Sequence, residues 1–149
     1  MSTKLMIAME DSVLVFESSK SGWKKVHESL RGAHLQCIAF DHNNPNRAYC
    51  GTSGGGLWKT DDGGQSWDSI GKETIFSSDV MSVSVSSLER GNGKRGFNTV
   101  YVGTEPSAFY RSDDGGESWD KMSSLNNLSS SSSLTMLMIV TAMIRKSGG

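Results

Sequence analysis

Thr60-Asp61-Asp62-Gly63-Gly64-Gln65-Ser66-Trp67 and Ser112-Asp113-Asp114-Gly115-Gly116-Glu117-Ser118-Trp119 are two copies of one octapeptide. They lie 52 residues apart (119 − 67 = 52), and every motif position keeps that offset. The flanks repeat too. Gly56-Leu57-Trp58-Lys59 aligns with Ala108-Phe109-Tyr110-Arg111, and Tyr49-Cys50-Gly51-Thr52 aligns with Tyr101-Val102-Gly103-Thr104. Self-similarity at a fixed period signals an array of supersecondary units rather than one irregular globule.

Outward from the motifs, strand signals dominate. Met81, Val83 and Val85 alternate with Ser82, Ser84 and Ser86, a two-residue period that sets apolar groups on one face. Thr99-Val100-Tyr101-Val102-Gly103, Leu35-Gln36-Cys37-Ile38-Ala39-Phe40 and Ala48-Tyr49-Cys50-Gly51-Thr52 have the β-branched and aromatic composition of strands. No stretch before residue 125 holds a 3.6-residue apolar period. The fold class is all-β, with four short strands per unit: 34–41, 47–52, 56–61 and 66–70, then 80–88, 98–104, 108–113 and 118–122. An earlier, degenerate unit over about 4–30 has strands Leu5–Met9, Val13–Ser18 and Trp23–Val26. In it Glu17-Ser18-Ser19-Lys20-Ser21-Gly22-Trp23 occupies the motif position without the aspartate or paired glycines. Four antiparallel strands per repeat of this length is the signature of a β-propeller blade. The expectation is a partial propeller of about three blades over 1–123 (4–30, 34–71, 80–123), followed by a tail at 124–149.

Composition narrows the function. A formal net charge of −1 argues against a broad nucleic-acid or anionic-membrane surface. The N-terminal residues form no secretory h-region and carry acidic residues that a transit peptide avoids. Cys37 and Cys50 are too few for a disulfide framework, so the expected compartment is the cytosol, with both thiols reduced and buried. In the tail, the serine run Ser129–Ser133 reads as a linker. The apolar residues Leu134–Ile144 that follow are too few to span a bilayer, so no membrane span is expected. The abrupt change of composition after Ser123 reads as the end of a truncated form.

The pattern Ser/Thr-X-Asp-X-Gly-X-Ser/Thr-Trp is fitted by Thr60, Asp62, Gly64, Ser66 and Trp67, and again by Ser112, Asp114, Gly116, Ser118 and Trp119. It is the Asp-box, or BNR repeat. Residues 4–123 resemble the YVTN/BNR-like β-propeller superfamily, and within it the proteins described as photosystem II stability/assembly factor-like. Sialidases, xyloglucanases and sortilin-type receptors share the box. The resemblance implies that the box lies at the hairpin between the third and fourth strands, away from the ligand face, with a structural role. The residue chemistry agrees: Asp, Ser and Thr oxygens accept backbone N–H groups and pin loops, and paired glycines open otherwise barred backbone angles.

Sharper readings of the same residues compete. The doublets Asp61/Asp62 and Asp113/Asp114 lack the EF-hand pattern of calcium ligands, and glycosidase chemistry needs two carboxyls facing one substrate. The arginine motif of sialidases is absent, with Arg31, Arg47, Arg90, Arg95 and Arg111 scattered. Ser53-Gly54-Gly55-Gly56 lacks the Gly-Lys-Ser/Thr ending of a phosphate cradle and reads as a hairpin turn. His27, His34 and His42 do not make metal-ligand spacing with the cysteines. No catalytic, cofactor or metal residues are assigned. The expected function is a non-enzymatic scaffold with protein partners, prone to self-association through open blade edges. The alternative is a fragment of a glycoside hydrolase propeller.

Overall fold

A computed structural model describes residues 2–75, 77–90 and 96–126. Among them lie eleven strands in three antiparallel sheets. The first sheet holds β1 (Lys4–Ala8), β2 (Val13–Ser19) and β3 (Gly22–Ser29). The second holds β4 (His34–Phe40), β5 (Ala48–Ser53), β6 (Leu57–Thr60) and β7 (Asp68–Ile70). The third holds β8 (Asp79–Arg90), β9 (Asn98–Glu105), β10 (Ala108–Ser112) and β11 (Asp120–Lys121). One helical turn, α1 (Ser123–Asn126), follows. In every sheet consecutive strands are neighbours, the up-and-down meander of a propeller blade. The first sheet has three strands rather than four. The Ser129–Ser133 linker, the Leu134–Ile144 segment and Arg95 fall outside the described residues.

Strand register shows how deep the repeat runs. Tyr49 pairs with Lys59 as Tyr101 pairs with Arg111, and Cys50 pairs with Trp58 as Val102 pairs with Tyr110. Lys59 pairs with Asp68 as Arg111 pairs with Asp120. All keep the 52-residue offset. The first strands do not: Ile38 pairs with Cys50 whereas Val83 pairs with Val102, an offset of 83 − 38 = 45. Both first strands carry a bulge at the corresponding place, between Leu35 and Cys37 and between Val80 and Ser82. The difference of 52 − 45 = 7 residues is absorbed in the β8–β9 hairpin, which is why β8 runs beyond the expected residue 88.

Apolar residues on facing sheets form two cores. Between the first and second sheets lie Met6, Val13, Val15, Leu35, Ala48 and Cys50; between the second and third lie Tyr49, Leu57, Val80, Val100, Val102 and Tyr110. The second and third sheets bury side chains from both faces of their middle strands: Ala48 to Thr52 of β5 and Asn98 to Thr104 of β9 are all buried. Cys50 is buried as expected, but Cys37, beside the bulge at Leu35/Cys37, is only half-buried.

Candidate functional site

The motif copies occupy the hairpins β6–β7 and β10–β11, the third and fourth strands of their sheets. In the first, Asp62 Oδ1 accepts from Thr60 Oγ1 at 2.8 Å, Gln65 N at 3.0 Å and Ser66 N at 2.9 Å. Asp62 Oδ2 accepts from Ser66 Oγ at 2.5 Å. Thr60 Oγ1 in turn accepts from Gly64 N at 3.0 Å. The second turn repeats this. Asp114 accepts from Ser112 Oγ, Ser118 N and Ser118 Oγ, and Ser112 Oγ accepts from Gly116 N. One carboxylate thus closes a tight loop whose amides would otherwise need water.

The donors set the acidity of these groups. The Ser66 hydroxyl, and then its amide, pull the Asp62 carboxyl down to about 2. Burial works to raise Asp114, but the Ser118 hydroxyl and amide outweigh it and hold it below the usual range. Both are ionised at neutral pH with their lone pairs engaged, a poor state for a general acid.

Each turn also reaches the preceding sheet. Trp67 Nε1 donates to Ser29 Oγ, at the end of β3, at 2.9 Å, and Ser29 Oγ donates to Gly64 O at 3.1 Å. Trp119 is buried against the second sheet's core and donates to Gly116 O at 3.1 Å. Gly64 and Gly116 have φ of +89° and +90°. A β-carbon on Gly64 would lie 2.9 Å from Val15 Cγ2, and one on Gly116 2.7 Å from Ile70 Cδ1. Glycine is needed there for the backbone angle and for the close approach of one sheet to the next.

The neighbouring aspartates do different work. Asp61 accepts from Arg47 Nε at 2.6 Å and pairs with Lys59 at 3.1 Å. Burial raises the Asp61 carboxyl, but Arg47 and Lys59 more than offset it and keep it below the ordinary range. Arg47 also donates to buried Asp41 at 3.3 Å and stacks 4.3 Å from the centre of the Phe97 ring. Asp41 in turn accepts from Asn98 Nδ2 at 2.8 Å, and Asn98 Oδ1 accepts from Asn43 Nδ2 at 2.8 Å. This polar latch joins the β4–β5 hairpin to β9 across the second seam. Asp113, the equivalent of Asp61, accepts from Thr99 Oγ1 and Arg111 Nε. Nothing in the doublets' spacing separated the inward aspartates from the outward ones, and the Asp41–Asn98 contact was invisible because its members are 57 residues apart.

The remaining candidates resolve simply. Gly54 N and Ser53 Oγ both donate to Asp79 Oδ1 at 2.8 Å, so a carboxylate of this chain already uses the glycine loop's first amide. Arg31 pairs with Glu28, Arg47 with Asp41 and Asp61, and Arg111 with Asp113, each on a different sheet. Among the described residues, no group of three or more His, Cys, Asp or Glu is placed to hold a metal ion, and no helix is long and apolar enough to cross a membrane.

No family model matches the chain, and no curated protein does. Among solved structures, one described as "YCF48 bound to D1 peptide" aligns with 76% of this chain at a TM-score of 0.50 and 18% sequence identity. The alignment covers 38% of that chain, so the present sequence spans well under half of its length. The likeness shows the fold, a propeller-like stack of antiparallel sheets.

Proposed function

We propose that this chain is a non-enzymatic propeller-repeat scaffold that works by binding other proteins, in the manner of an assembly factor. The observation that carries this reading is the engagement of the motif carboxylates. Asp61, Asp62, Asp113 and Asp114 are all committed to hydrogen bonds or ion pairs within the chain. The ten residues Thr60, Asp62, Gly64, Ser66, Trp67, Ser112, Asp114, Gly116, Ser118 and Trp119 are read as clamps that close each hairpin and lock it onto the sheet before. Residues 1–123 then act as one repeat block, placed in the cytosol. The solved neighbour is described as bound to a D1 peptide, which supports a protein partner as the ligand class.

The rival reading is a piece of a glycoside hydrolase. Incubation with fluorogenic sialosides and β-glucans separates the two: a scaffold gives no turnover, and hydrolysis above a heat-denatured control would overturn it.

A further inference from the structure

We propose that the free edge of β1 is a docking strand for an extended peptide of another protein, which pairs antiparallel with β1 and sets a carboxylate against Lys4. It deepens the scaffold reading and rests on it.

Among the described residues, the first sheet lacks one particular strand. Ala8 pairs with Val13, and Val13 with Ser29; in the second sheet Gly51 pairs with Leu57, and Leu57 with Ile70. The tryptophans agree, since Trp67 meets Ser29 and Trp119 packs near Ile70. So β1, β2 and β3 correspond to β5, β6 and β7, and nothing among the described residues stands where β4 and β8 stand in their sheets.

The backbone of β1 is oriented to accept that strand. Ser18 N donates to Thr3 O and Met9 N to Ser12 O, so the odd-numbered residues of β1 turn their polar groups toward β2. The N–H and C=O of Lys4, Met6 and Ala8 therefore point to the open edge. Arg47, at the position of Lys4, follows the same parity, with its carbonyl accepting from Asp41 N. Along this edge runs a groove of about 430 Å³ lined by Thr3, Lys4, Met6, Phe40, Pro45 and Asn46. An unpaired edge beside an apolar groove is the geometry of β-strand addition.

The strands already in the corresponding place define what fits. β4 carries Leu35, Ile38 and Phe40, and β8 carries Val80, Val83 and Val85. Each runs antiparallel to its neighbour. Immediately after β4, Asp41 sets its carboxylate 3.3 Å from Arg47 Nη1. Lys4 is the charged residue of the β1 groove and has only a 3.8 Å pairing with Glu17. A peptide of spaced aliphatic or aromatic residues followed by Asp or Glu reproduces both features.

The test uses the full chain labelled with nitrogen-15 and a synthetic peptide of residues 34–41 carrying Cys37→Ser. At about ten times Kd the peptide occupies about 90% of sites, and amide exchange at Lys4, Met6 and Ala8 should slow about tenfold. Leu5, Ile7 and Met9 should change little. Lys4→Pro removes an outward N–H and leaves the β1–β2 ladder intact, so it should weaken binding at least about tenfold. Should that variant fail to fold, a peptide N-methylated on its inward amides must lose binding to the native chain while one methylated on its outward amides keeps it. Equal slowing at odd and even residues, or no slowing, overturns the proposal. So does protection of the even amides without peptide: concentration-independent protection makes a segment of this chain the occupant, and concentration-dependent protection makes it a second copy. Sugar turnover would remove the scaffold reading alone, whereas a failed exchange pattern removes the edge and leaves the scaffold standing.

Discussion

A methyl group added at Gly51 should force the second and third sheets apart. A β-carbon there would lie 2.6 Å from Cys37 Sγ, 2.7 Å from Val80 Cγ1 and 2.7 Å from the Val80 carbonyl oxygen. That carbonyl belongs to β8, whose Val80 is paired with Thr104, so it cannot rotate aside. Overpacking costs about 1–3 kcal/mol, and a backbone obstacle puts this site at the upper end. Loss of glycine's unfolded-state freedom returns about 0.4–1 kcal/mol, leaving a net loss of about 2 kcal/mol. The repeat supplies its own control. At Gly103, 52 residues on, the added carbon would meet Ser82 Oγ at 2.6 Å and then nothing nearer than Ser82 Cβ at 3.9 Å. That hydroxyl has no hydrogen-bond partner and is free to swing, so Gly103→Ala should fall within about 0.5 kcal/mol of neutral. Urea unfolding followed by tryptophan fluorescence reads the difference, because a 2 kcal/mol loss moves the midpoint by about 1 M at a typical slope. Adding Val80→Ala to Gly51→Ala should recover only part of the loss, since the carbonyl remains. Equal midpoint shifts for the two glycines, or full rescue by Val80→Ala, would refute the close-approach reasoning.

Further outcomes test other parts of the molecule. Asp62→Asn should cost about 1–3 kcal/mol through the donors it leaves poorly satisfied. Because the folded Asp62 carboxyl is depressed to about 2 from an ordinary 3.8, its stabilisation is complete above the unfolded value. It disappears as pH falls from there through about 2. Thermal melts across that window should show a slope that Asp62→Asn flattens, and an unchanged slope contradicts the assignment. Arg47→Met leaves buried Asp41 without its cation and uncovers Phe97, for a loss of about 2 kcal/mol. Combined with Asn98→Ala it should be non-additive in a double-mutant cycle. Burial pushes the Cys37 thiol up to about 11 and Cys50 to about 12. Both should resist a disulfide reagent at neutral pH until the chain unfolds, and rapid native labelling of the half-buried Cys37 would show that access rather than ionisation decides. Leu5, Ile7 and Met9 leave an apolar stripe exposed on the outer face of β1. Ile7→Lys should therefore lower concentration-dependent self-association in sedimentation velocity, and an unchanged association constant would place the contact elsewhere.

Much of the architecture was legible because a meander of short strands is specified locally. Alternation in Met81–Ser86 and the β-branched run at Thr99–Val102 needed no distant partner to be read, and the motif copies located both third-to-fourth hairpins. What stayed hidden depends on contacts between sheets. Asp61 and Asp62 are adjacent and chemically identical, yet one closes its own turn while the other answers Arg47 from the β4–β5 hairpin. Their division follows from which way each residue faces at the hairpin's end, a property of the folded turn. The bulge beside Cys37 was hidden for a similar reason, since it shifts the alternation that a strand would otherwise keep.

The repeat period itself misled in one instructive respect. An offset of 52 residues describes the second to fourth strands, but the first strands keep 45, so the seven extra residues fall between β8 and β9. The motif turns cannot lengthen in that way, because each is wired to a carboxylate inside and to a preceding sheet outside. The first sheet, which among the described residues lacks both the aspartate turn and a first strand, is held to its neighbour through Trp67 and Ser29, the His27–Gln65 and Leu35–Glu10 hydrogen bonds, and the core around Met6 and Val15. Among the described residues, nothing covers its outer face or its β1 edge.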